Sequence, residues 1–136
     1  MKKIAYGLMA GAIMLLLSLL IGILTHLVLP EIESEYKNTS LFRPWSDPRM
    51  WWFFVHPFSL ALIMAFVWSP TKDLFKDKRY TERGLRFGFL FWIISLPGLM
   101  MSYSTFPLTL MMTFAWALSG LIQVLFGGYF FSKTLQ

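Results

Sequence analysis

Residues 51–70, WWFFVHPFSLALIMAFVWSP, contain no Asp, Glu, Lys or Arg. As a helix this stretch rises about 30 Å, the thickness of a bilayer's hydrocarbon core. Trp51 and Trp52 at one end and Trp68 at the other stand where indoles collect at the two membrane interfaces. A chain built around such a segment is expected to be an all-α integral membrane protein, because only helices satisfy their own backbone in lipid and span at this length. His56 lies about 7–8 Å inside the first interface by the same rise. Pro57 then removes the N–H that the Phe53 carbonyl would otherwise accept.

Three more segments have spanning length: 4–30, 87–105 and 106–131. Apolar residues make up 57% of the chain and charged ones only 14%, against about a quarter in soluble domains, which leaves no room for a water-soluble domain. The apolar run of 4–30 exceeds the roughly 7–15 residues of a secretory signal, and THLVLP has no small-residue cleavage site, so it reads as an uncleaved first span. The short connection at 103–107 makes the last two spans a tight antiparallel hairpin, with Pro107 suited to the first turn of the fourth helix.

The polar connections fix an expected orientation. Nine bases (Lys2, Lys3, six in the 71–86 loop, and Lys133) fall on one side, and Lys37, Arg43 and Arg49 on the other. The positive-inside rule then places both termini and the basic 71–86 loop in the cytoplasm and the 31–50 loop outside, in a plasma or inner membrane of bacterial type. The basic loop is first a topogenic signal and second a segment drawn to anionic lipid. The formal charge of +5 is explained by topology, so nucleic acid is not expected as a partner. Membrane lipids, a second copy of the chain or another membrane protein are.

Small and polar residues recur at helical spacing. Gly7, Gly11, Ser18 and Gly22 on the first span, Gly88 and Gly98 on the third, and Gly120, Gln123 and Gly127 on the fourth form stripes of the kind that let helices approach closely in lipid. Gly7, Gly11, Gly22, Gly98, Gly120 and Gln123 are therefore the expected packing residues, with Gln123 bonded across helices. The result is a four-transmembrane-helix antiparallel bundle forming a single domain over 1–136.

His26, His56, Ser59, Ser102 and Tyr103 are expected at one depth in the outer half, beneath a lid carrying Arg43, Asp47 and Arg49. Such a polar pocket would have His56 facing the bundle interior. Two imidazoles at matched depth on antiparallel helices could ligate a haem or a transition metal. Without a carboxylate, a cysteine or HxxxH spacing, though, the first expectation is that each donates to a carbonyl and that no cofactor is held. The chain has no cysteine and none of the catalytic signatures GxGxxG, GxSxG or HExxH, and all seven acids lie in loops. A non-enzymatic role in binding, accessory function or structure is the first expectation, an oligomeric conduit for small molecules or ions the second, and a haem or metal protein using His26 and His56 the third.

Overall fold

A computed structural model describes residues 1–75 and 78–135; Lys76 and Asp77 of the basic connection, and Gln136, lie outside the described residues. Five α-helices make up the fold: α1 (Lys2–Val28), α2 (Pro30–Tyr36), α3 (Trp51–Thr71), α4 (Tyr80–Thr105) and α5 (Leu110–Thr134), with no strand among the described residues. Single 3-10 turns, Pro48–Met50 and Lys72–Phe75, flank α3. Four segments, Lys2–Val28, Pro48–Phe75, Tyr80–Thr105 and Leu110–Thr134, are long and apolar enough to cross a membrane, as in a multi-pass membrane protein.

The helix ends differ from the sequence expectation for local reasons. α4 starts at Tyr80 rather than at 87: its charged first turns remain helical, and Glu82 pairs with Arg86 at 2.8 Å one turn on. α5 starts at Leu110, not 106. Pro107 lies outside it, and Thr109 is the N-cap, its hydroxyl accepting from the Met112 N–H at 3.2 Å. The 31–50 connection is partly helical, because Pro30 suits the first position of α2.

Glycines set how the long helices meet. A Cβ on Gly7 would lie 2.8 Å from Leu62, and one on Gly11 2.7 Å from the Phe58 Cα, so α1 and α3 touch along an antiparallel seam. Gly84 and Gly88 of α4 press in the same way on Gly128 and Val124 of α5; a Cβ on Gly84 would sit 2.5 Å from the Gly128 carbonyl oxygen. Two closely packed pairs result, and α5 joins them: Gly127 of α5 sits against Met64 of α3 and Met14 of α1. Ala10, Met14, Ala61, Met64, Ala65, Trp68, Phe87, Val124 and Phe131 form the main core, at the end of the bundle that carries the termini.

Along both seams the glycine stripe gives way to a large residue. Continuing Gly7 and Gly11 by one turn gives Leu15, and continuing Gly84 and Gly88 gives Trp92, whose indole N–H reaches across to the Ala117 carbonyl at 2.8 Å. At Leu15 the α1/α3 seam opens into a groove, whereas α4 and α5 stay together up to the four-residue connection between Thr105 and Leu110. Gly22, Gly98 and Gly120 meet nothing within 4 Å and do not pack helices, contrary to expectation. Gly22 fails for a simple reason: the register set by Gly7 with Leu62 and Gly11 with Phe58 puts it level with Asp47, beyond the start of α3. A small second core, Ile32, Leu108 and Met112, closes the far end of α5 beneath α2.

Trp68 is a hub rather than an interfacial anchor. It is fully buried, donates its indole N–H to the Leu135 carbonyl at 3.1 Å, and meets Phe87 edge-on at 5.1 Å. The Arg83 guanidinium lies 6.0 Å from its ring centroid and donates to the Lys72 carbonyl at 3.2 Å. Gln123 is buried as expected but bonds within its own helix, to the Ser119 hydroxyl at 3.2 Å, and its Oε1 has no partner among the described residues.

Candidate functional site

The polar cluster expected in the outer half does not assemble. In the α1/α3 register His56 stands opposite Ile13, thirteen residues and about 20 Å below His26 along the helix axis. Counting inward from an interface puts the two histidines level, since each lies a turn or so from one, but α1 overshoots the start of α3. One metal ion or haem iron cannot take both at that separation. His56 is exposed, one position off the buried Pro57, Ala61, Met64 and Ala65 face, so it does not point into the bundle. His26 instead places Nδ1 3.1 Å from the Glu33 carboxylate, linking the end of α1 to α2, and Glu33 also takes Lys37 at 2.5 Å. Those partners, Lys37 first, hold the Glu33 carboxyl below its ordinary value.

Ser59 and Ser102 spend their hydroxyls on carbonyls of their own helices, Val55 at 3.3 Å and Gly98 at 3.0 Å. Tyr103 is exposed. Among the described residues no three His, Cys, Asp or Glu side chains gather.

The lid residues do come together. Asp47 caps the 3-10 turn Pro48–Met50 by accepting the Arg49 N–H at 2.9 Å, and its two oxygens also take Arg49 Nε at 3.0 Å, Arg49 Nη2 at 2.9 Å and Arg43 Nη1 at 3.2 Å. The Arg49 side chain first, then its backbone N–H, then Arg43 hold the Asp47 carboxyl well below the usual carboxylate range. Pro44 and Pro48 restrict the backbone around Trp45, which lies edge-on to Phe53 at 5.4 Å. The clasp is thereby fixed over the first turn of α3.

Below the clasp is a groove, not a polar pocket. Leu15, Trp51, Phe54, Val55 and Phe58 line about 400 Å³ between α1 and α3, with no polar atom on its walls. Leu15 and Phe54 continue the register of the two glycine contacts, so the groove opens where leucine replaces glycine on the α1 stripe. That substitution along one stripe is the signal in the sequence that would have located it. Opposite the clasp, α2 is acidic and docks on α5: Glu35 accepts the Thr109 N–H at 3.3 Å and the Thr109 hydroxyl, and the Tyr36 hydroxyl accepts the Trp116 indole N–H at 2.6 Å. The loop end therefore carries two patches, acidic over α5 and basic over α3.

Comparison with known protein families, with curated proteins and with solved structures finds no match. The site is read from its own chemistry.

Proposed function

We propose that this chain is a non-enzymatic multi-pass protein of a plasma or inner membrane, with both termini cytoplasmic, whose role is to bind a lipid or a membrane-embedded partner in its outer half. The observation that carries this reading is the change along the α1/α3 seam: Gly7 and Gly11 close it near the termini, and from Leu15 onward it opens into a groove with wholly apolar walls. An interior of this kind offers no polar path for an ion or solute, and charged groups stay at the ends. The orientation rests on nine bases at the termini and in the 71–86 loop against three in the 31–50 connection.

Proteoliposomes containing the chain should show no flux of ions or small solutes above empty liposomes, and native mass spectrometry from nanodiscs should show retained lipid or a second protein. Flux above background would replace this reading with the conduit. For orientation, Ser40→Cys should react with an impermeant thiol reagent from outside and Thr81→Cys should not; the reverse pattern would invert the topology.

A further inference from the structure

We infer that the groove between α1 and α3 takes one acyl chain of an anionic phospholipid whose phosphate rests on the Arg43 and Arg49 clasp. This rests on the binding reading above and names its ligand. Three observations meet at one place. The groove follows α3 from Trp51 to Phe58, about 10 Å of helix, or some two thirds of the roughly 15 Å depth of one leaflet's hydrocarbon. Its volume of about 400 Å³ lies within the range of ligand clefts, and its walls offer nothing to a polar occupant. Trp51, which lines its mouth, follows Arg49 by two residues, and Trp45 sits on Phe53 and Phe54 at 5.4 and 6.4 Å, so the cationic clasp and the apolar mouth are continuous.

Charge decides the headgroup. A single carboxylate, Asp47, answers two guanidiniums, which leaves the clasp with one net positive charge. Its oxygens accept Nη1 of Arg43 and both Nε and Nη2 of Arg49; no other side-chain hydrogen bond from either arginine is found among the described residues, so Nε and Nη2 of Arg43 and Nη1 of Arg49 are available. Planar guanidiniums with spare N–H groups suit a phosphate diester. The acidic face of α2, with Glu31, Glu33 and Glu35 against Lys37, repels the same headgroup from the neighbouring patch. Trp45, Trp51 and Trp52 are all exposed, as indoles at the headgroup level are.

The test is native mass spectrometry of the full chain in detergent, titrated with phosphatidylglycerol and with phosphatidylcholine of identical chains. Phosphatidylglycerol should bind preferentially. Arg43→Gln, which leaves Asp47 paired with Arg49 and brings the clasp to zero charge, should cut that preference about fivefold while leaving phosphatidylcholine unchanged. Val55→Trp, which fills the groove, should weaken both lipids. Raising salt from roughly 50 to 500 mM should shrink the preference in the unmodified chain, a readout that needs no folded variant. Glycerol phosphate, which lacks acyl chains, should not bind. Equal binding of the two lipids, a preference that survives both Arg43→Gln and high salt, tight binding of glycerol phosphate, or a lipid-free dimer would each overturn the assignment. Retention of some other lipid or protein with the groove variants unaffected would overturn it while leaving the binding reading in place.

Discussion

Glu35 caps a helix to which it is not joined: its carboxylate accepts both the backbone N–H and the hydroxyl of Thr109, the N-cap of α5, 74 residues further along the chain. A carboxylate at a helix N-terminus satisfies orphan donors and meets the positive end of the helix dipole. Together with Tyr36 on Trp116 and the buried Ile32, this fastens α2 across the open end of the bundle.

Glu35→Ala should therefore cost about 1–2 kcal/mol, expressed locally. Amide exchange in the first two turns of α5 should accelerate while that around Trp68 is unchanged. A uniform acceleration would show that the cap acts on the whole bundle, and no change would show that it contributes nothing.

Glycines separate into two classes that sequence spacing treats alike. Gly88→Ala drives a methyl into the Val124 backbone and should lower stability by at least about 2 kcal/mol. Gly98→Ala enters open space within a helix and should gain roughly 0.5–1 kcal/mol, or change nothing. Thermal unfolding in detergent distinguishes them, and equal effects at the two positions would contradict the α4/α5 seam.

Gln123 offers a less intuitive substitution. Its Oε1 is buried without a partner, so Gln123→Leu removes a desolvated acceptor at the loss of one bond to Ser119. The variant should melt at or above the temperature of the unmodified chain. A loss of more than about 1 kcal/mol would mean that the amide has a partner in the membrane and acts as interhelical glue after all.

Both ionic clasps hold their carboxyls below ordinary values, Glu33 through Lys37 and Asp47 through Arg49. A depressed native value stabilises above the unfolded carboxylate pKa of about 4 and is lost as pH falls through the native one. The difference in melting temperature between the unmodified chain and Asp47→Asn should thus be flat from about pH 8 to 5 and narrow only in stronger acid. A difference that disappears between pH 7 and 5 would show that the clasp is already open there.

Four long apolar helices and the inward role of Gly7 and Gly11 are legible in the sequence, because length, charge and spacing are local properties. Register is not. It depends on which turn of one helix meets which turn of another, and the single offset between α1 and α3 separates His26 from His56 and strands Gly22. The burial of Trp68 was hidden for a similar reason, since it depends on the C-terminal end of α5 supplying the Leu135 carbonyl beside it. Of the site, the Arg43, Asp47 and Arg49 grouping is visible within seven residues of sequence, whereas the groove needs the partner helix to be seen.

The step from glycine to leucine along the α1 stripe also has a mechanical meaning. Gly7 and Gly11 hold α1 against Leu62 and Phe58 of α3, and Leu15 one turn on acts as a spacer, so side-chain size at a single position sets where the seam ends and the groove begins.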